Sequence, residues 1–365
     1  MIKKFNKLII ENFIIFLVSF LLIDLIISNT VLNLRGKSCT NYKKDFIELK
    51  KNCNGKEKIK SYLPTVNIYT DSKGLRISKE HNRSSKKDKI FVYGSSFIYG
   101  AGLRYEKTTI GILEKENNKY EFFNFSIPYG SPTFHLYNLK KNIKNNEKPK
   151  KILLILSLSD ILSEIDIWGN VDKSGTLKTK TDVLFLKSKE KEVFYKRNFR
   201  LSRLVANKIN VFFKQLKSRT INDNIDSKKI RTTIQAGFTY SKIDQHPPYS
   251  NGGFNYGLNK IKSQIKEMTQ VAAKENIDFN LIIFPFADTI AYGQENFNWE
   301  NFAKDLCNIE NCNFINTFKI FQNFQKNNDD WYEKLFFRGD EHFTELGHEI
   351  FTEALTEQIF KTDTL

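Results

Sequence analysis

Four short, almost uninterrupted apolar runs constrain the fold of this chain more than any other feature. They are Lys89-Ile-Phe-Val-Tyr93, Glu121-Phe-Phe-Asn-Phe125, Ile152-Leu-Leu-Ile-Leu156 and Phe279 to Phe284. A strand with one face in water alternates polar and apolar residues, whereas a strand covered on both faces reads as a continuous run. Segments of helical character lie among them: Thr108 to Lys119, a stretch carrying Leu136, Leu139 and Ile143, Tyr256 to about Glu275, and Thr344 to about Phe360. Strands alternating with helices on this spacing predict a three-layer α/β/α domain built on a mostly parallel sheet.

The first thirty residues carry a different signal. Lys3, Lys4 and Lys7 precede an apolar stretch from Leu8 to Ile27 that is interrupted by Glu11, Asn12 and Asp24. Twenty helical residues rise about 30 Å, the thickness of a bilayer core. Glu11 and Asp24 lie near the two ends of this stretch, where both can reach toward headgroups. Residues 1–28 are therefore read as a signal anchor, with the lysines in the cytoplasm and the remainder outside. A cleaved signal peptide is the alternative; Ser28-Asn29-Thr30-Val31 offers no small-x-small cleavage site. Residues 29–64 read as a stalk or small cap, and 65–362 as the main domain, with a charged, turn-rich insertion at about 163–253 that includes a helix from Ser202 to Lys217.

With 40% hydrophobic and 27% charged residues, the chain of 365 residues has the composition of a folded globular protein. The net charge of +16 comes with lysine and asparagine spread along the whole length, and no basic run is interleaved with stacking aromatics. A nucleic-acid partner is not expected. The four cysteines fall into two local pairs, Cys39 with Cys53 and Cys307 with Cys312. This pattern suits disulfides in an oxidising compartment, although three connectivities are open. Neither pair has zinc-knuckle spacing, and neither has a neighbouring histidine, so no metal or other cofactor is expected.

Two segments could carry chemistry. The first apolar run ends in Gly94-Ser95-Ser96-Phe97-Ile98-Tyr99-Gly100, and the C-terminal ends of parallel strands are where such sheets place reactive groups. Near the C-terminus, Gly339-Asp340-Glu341-His342-Phe343-Thr344-Glu345-Leu346-Gly347 brings an acid and a histidine into the start of a helix. A serine hydroxyl needs an imidazole to take its proton, and that imidazole needs a carboxylate to fix its tautomer. The bland alternative is that Ser96 caps a helix, Asp340 and Thr344 cap another, and His342 is solvated. His135 and His348 fall on helices as partly buried or surface residues, and His81 and His246 lie in polar loops without metal-ligand neighbours.

Taken together, these segments resemble the SGNH/GDSL hydrolase family over residues 65 to 360. Lys89 to Lys107, with Gly100 four residues after Ser96, is similar to the first family block. Asn124-Phe-Ser-Ile-Pro128 with Gly130-Ser-Pro132 is similar to the second, Ser157-Leu-Ser-Asp160 occupies the third, and Asp340 to Gly347 resembles the last. Asp71-Ser-Lys-Gly-Leu-Arg76 is similar to a lead-in of membrane-anchored or exported members.

The resemblance implies an SGNH or flavodoxin-like α/β/α fold, with Ser96 as nucleophile, His342 as base and Asp340 as its orienter. It also implies an oxyanion hole formed at Ser96, Ser126 and Ser159. Four serines depart from the family pattern: Ser95 stands for aspartate, Ser126 and Ser157 for glycines, and Ser159 for asparagine. The activity implied is ester hydrolysis or acyl transfer on an acylated envelope polysaccharide or lipid. A catalytically inactive glycan-binding module is the rival expectation.

Overall fold

The computed structural model describes residues 2–30, 38–42, 47–57, 63–81, 86–166, 253–294, 297–337 and 340–361, with short stretches at 168–171 and 177–179 and single positions or pairs between 199 and 209. The chain divides into two units, one of residues 1–36 with 184–229 and one of 37–183 with 230–365. All the candidate site residues belong to the second unit.

In the first unit, helix α1 (Ile2–Asn29) includes a stretch, Ile10–Asn29, of mean hydropathy 2.4, long and apolar enough to cross a membrane. Its large side chains stand exposed, Phe13 at 63% and Phe16 at 66%. Asp24 lies within this apolar stretch. Its carboxylate is buried and accepts bonds from Ser28 Oγ at 2.6 Å, from the backbone N–H groups of Leu201 at 2.9 Å and Ser202 at 2.7 Å, and from the Ser202 hydroxyl. A carboxylate on an apolar helix is stabilised by satisfied donors, and this one has several. Most of the expected helix from Ser202 to Lys217, and nearly all of the expected insertion, lie outside the described residues.

The second unit contains a five-stranded sheet in which every pairing is parallel. Its strands are β6 (Asp88–Tyr93), β7 (Tyr120–Asn124), β8 (Lys151–Leu156), β11 (Asp278–Ile283) and β12 (Cys312–Asn316), ordered β12-β11-β8-β6-β7. Numbered along the chain, that order is 2-1-3-4-5, the doubly wound arrangement whose switch point lies between the first and third strands. β7 and β8 are buried at every residue, and β6 at its last four, which is why they read as unbroken apolar runs.

Helices form two groups around the sheet. One comprises α4 (Pro132–Lys144), α5 (Ser159–Asp166) and α6 (Gly253–Lys274), which pack on one another. The other includes α3 (Thr109–Glu116) and α11 (Glu345–Leu355). The last helix therefore begins one residue after Thr344, whose hydroxyl caps it by accepting from Gly347 N–H. It ends in a wider π turn, Thr356–Phe360.

Strand pairing runs across the expected boundary at residue 64. β1 (Thr40–Tyr42) pairs with β2 (Ile47–Leu49), while β3 (Asn54–Glu57), β4 (Val66–Thr70) and β5 (Arg76–Ile77) form one antiparallel sheet that crosses that boundary. A strand cannot leave its ladder without exposing backbone donors, so residues 54–57 belong with the main domain. The disulfides join Cys39 to Cys53 and Cys307 to Cys312, with Cα separations of 5.7 and 5.4 Å. The first closes a loop of 14 residues, which restricts the unfolded chain. Replacing Cys39 and Cys53 together by serine is expected to lower stability by about 2–4 kcal/mol, read as a lower thermal midpoint in non-reducing buffer.

Candidate active site

The turn after β6 is built by close packing. A Cβ at Gly94 would lie 2.7 Å from Ile98 Cγ1, so only glycine lets the chain fold back into the short helix α2 (Ser96–Tyr99). Gly100 closes that helix in the left-handed region at φ 81°. Ser95 at its N-cap makes no side-chain capping bond, and Ser96 is partly exposed at the first helical position. The turn sits beside the β6/β8 switch point, where a doubly wound sheet opens to ligands.

His342 arrives from the other end of the sequence. Its Nε2 lies 2.7 Å from Ser96 Oγ, and its Nδ1 is hydrogen-bonded to Asp340 Oδ1. The same Asp340 oxygen accepts the His342 backbone N–H at 2.8 Å, which locks the two-residue spacing into a tight ring. Asp340 and His342 are each 2% exposed, so the alternative of a solvated histidine beside a helix cap does not hold. With Nδ1–H given to the carboxylate, Nε2 is left as an acceptor for the serine proton. The imidazole stacks on Phe97 at 4.8 Å, and Phe97 in turn packs on Phe284 and Phe286 at the end of β11. Asp340, Glu341 and His342 place ligand atoms within 4.8 Å of one another. Both imidazole nitrogens are engaged in hydrogen bonds, Nδ1 with Asp340 and Nε2 with Ser96.

The expected oxyanion donors fare differently. Ser96 N–H heads a first helical turn, where backbone donors have no partner within the helix. The Ser126 N–H donates to Asn124 Oδ1 at 3.0 Å, and Asn124 Nδ2 reaches Ile98 O at 3.3 Å. Asn124 thus ties the second turn to helix α2, and Ser126 contributes a buried hydroxyl with no hydrogen-bond partner. Ser159 is partly exposed, with its Oγ 2.8 Å from Ser157 Oγ. Ser157 Oγ and N–H both donate to Asp160 Oδ2, at 2.9 and 2.6 Å. While Asp160 is ionised, the Ser157 proton points at the carboxylate and the Ser159 proton points at Ser157.

Several buried polar groups around the site were not singled out from sequence. Glu164 accepts from Thr133 N–H at 2.6 Å and from its hydroxyl at 2.7 Å, capping the start of α4, and burial holds its carboxyl above the usual range. Burial likewise pushes Asp160 up to about 7 and, with Glu341 nearby, Asp288 up to about 8. Asp288 stands in helix α7 (Ala287–Tyr292), and its Oδ1 is buried without a partner. His135 and His348 are not surface residues. They are 0% and 1% exposed, and burial lowers each to about 3. His348 Nδ1 accepts Thr109 N–H at 3.1 Å, which fixes it as a neutral structural imidazole.

No protein-family model matches the sequence, and no curated protein matches it at a significant level. Solved structures do match in fold. One is a member of the lipolytic protein G-D-S-L family from Veillonella parvula, at 11% identity over 75% of this chain and 98% of that chain, with a TM-score of 0.40. Others are a psychrotrophic esterase from Pseudoalteromonas (10%, 76% and 100%, 0.35) and the lipase/acylhydrolase from Enterococcus faecalis (10%, 74% and 95%, 0.37). These are distant likenesses of fold only.

Asp160 and Asp288 keep their protons on folding where the unfolded chain would release them. Stability from such groups is full below the unfolded value of 3.8 and is lost as pH rises toward about 7 for Asp160 and about 8 for Asp288. Asp288→Asn is expected to stabilise the protein by about 1–3 kcal/mol at pH 8 and by little near pH 4, measured as thermal midpoints at the two pH values.

Proposed function

We propose that this protein is a membrane-anchored serine esterase or O-acyltransferase that works through an acyl-Ser96 intermediate outside the cytoplasm. The observation that carries this reading is the Ser96–His342–Asp340 relay, with a 2.7 Å contact between hydroxyl and imidazole and a buried carboxylate behind it. As Ser96 Oγ attacks an ester carbonyl, its proton passes to His342 Nε2. Asp340 stabilises the imidazolium that forms and keeps the ring oriented. When the tetrahedral intermediate collapses, His342 gives that proton to the departing alcohol and the acyl group remains on Ser96. Water or a sugar hydroxyl, deprotonated by His342, then attacks the acyl-enzyme and frees the serine. The resident groups supply both proton transfers, so the scheme calls for no metal or cofactor.

The substrate class follows from location. The apolar helix at the N-terminus and the two disulfides support a body held at a membrane in an oxidising compartment, where acylated glycans and lipids are at hand. A small acyl group such as acetyl on an envelope polysaccharide or lipid is the substrate we propose. A second reading draws support from the oxyanion side: the Ser126 N–H is engaged, and the Ser159 hydroxyl is held by Ser157. It makes the protein a non-catalytic module that binds acylated glycan.

Hydrolysis of an aryl acetate by the full chain in detergent separates the two. The esterase reading expects turnover that falls about 1000-fold or more in Ser96→Ala, His342→Ala and Asp340→Asn. Turnover unchanged by Ser96→Ala removes the nucleophile assignment. Acetylated-glycan binding without turnover in the wild type establishes the module instead. On the esterase reading, Ser159→Asn introduces an amide donor at the oxyanion side and is expected to raise kcat about tenfold, since one such donor is worth roughly 100-fold or more where it is well placed.

A further inference from the structure

Helix α2 is one turn long, and a single turn has no stability of its own. Its C-terminal carbonyls need donors. Asn124 Nδ2 reaches Ile98 O, and one further side chain supplies the carbonyls that follow. Arg76, 1% exposed on β5, donates from Nη1 to Tyr99 O and to Gly100 O, the latter at 2.9 Å, and from Nη2 to Leu103 O. Its guanidinium also lies over the Tyr99 ring at 4.8 Å. Gly100 makes room for it, since a Cβ there would fall 3.0 Å from Arg76 Nη1 as well as into Thr108. The N–H groups of Gly100 and Ala101 in turn donate to the carbonyl of Ser96, each at 3.1 Å. The path from Arg76 to the nucleophile is thus two hydrogen bonds long.

The anchor at the other end is built with equal care. Tyr99 OH donates to Glu57 Oε2 at 2.6 Å, and Glu57 Oε1 accepts from Thr40 N–H at 2.7 Å and from its hydroxyl at 2.6 Å. Thr40 follows Cys39, whose disulfide to Cys53 pins this region. The buried guanidinium therefore has a buried carboxylate as its counter-charge, linked through Tyr99. The turn that delivers Arg76 is equally specific. Asp71 Oδ1 accepts from the N–H groups of Lys73 at 2.8 Å and Leu75 at 2.9 Å, and Gly74 takes φ 83°, where a Cβ would strike Leu49 O at 2.6 Å.

We propose that Arg76 is a positioning residue for Ser96, holding the nucleophile turn against the disulfide-pinned antiparallel sheet so that the serine hydroxyl is presented to His342. The inference rests on the serine-nucleophile reading for its effect on reactivity, while its effect on the turn stands apart from it. Lysine is a compact point charge and cannot fork across three carbonyls as guanidinium does.

The test uses the full chain in detergent with a fluorophosphonate probe, following both the rate of labelling and its end point, alongside amide hydrogen exchange. In Arg76→Lys the labelling rate is expected to fall about tenfold or more, as for loss of one charge-assisted bond, while the end point stays stoichiometric. Exchange at Gly100 and Ala101 is expected to accelerate, with the amides of Ile90 to Val92 unchanged. Tyr99→Phe, which removes only the hydroxyl, is expected to slow labelling about threefold and carries the test if Arg76→Lys fails to fold. A lower end point at an unchanged rate, or exchange accelerated equally along β6, reduces Arg76 to a general stabiliser and overturns the proposal. A wild type that does not label ends the serine-nucleophile reading, and the exchange pattern alone then decides whether Arg76 holds the turn.

Discussion

The hydrogen bond between Ser96 Oγ and His342 Nε2 joins residues 246 positions apart, and the arrangement of the domain can be read as what that contact demands. Ser96 must project from a rigid edge, which the parallel sheet provides at the end of β6. His342 must approach from the opposite terminus in a single tautomer, which the tight ring with Asp340 provides. Phe97 stacks on the imidazole, and the Phe284, Phe286 and Phe343 rings pack against Phe97. Offset and edge-on contacts among such rings add to the burial of their apolar area.

Much of this layout was legible in the sequence because burial on both faces writes itself as unbroken apolar runs. The four strands expected from those runs are four of the five in the sheet. The fifth, β12, was missed for a physical reason: it is an edge strand in which only Ile315 is buried, so it has no run to show. The pairing of β3 with β4 across residue 64 was not legible, because both strands are short and half exposed and their polar surfaces read as stalk. Four short blocks in order sufficed to bring Ser96, His342 and Asp340 together. No local pattern could reveal that the Ser126 N–H is taken by Asn124, since the bond depends on how the turn folds back.

The groups that escaped notice share one property, that their role is set by burial rather than by neighbours in sequence. Asp288 looks like an ordinary acid in the first turn of a helix, and becomes unusual only when its oxygen is sealed without a donor. Glu164 and Asp160 lie on one helix and look like surface charge, yet Glu164 accepts the Thr133 N–H in the first turn of α4 and Asp160 the Ser157 N–H just before α5. Arg76 was visible as part of a motif, but its meaning lay in three carbonyls more than twenty residues away. The His135 and His348 rings were expected nearer the surface because helical periodicity alone does not say which layer a helix face meets.

Whether Ser96 is an activated nucleophile is decided by the site of covalent capture. After reaction of the full chain with a fluorophosphonate, peptide mass mapping is expected to place one phosphonyl adduct on Ser96, absent when His342 is replaced by alanine. An adduct on Ser95 or another serine, or none at all on folded wild-type protein, would show that Ser96 is not an activated nucleophile.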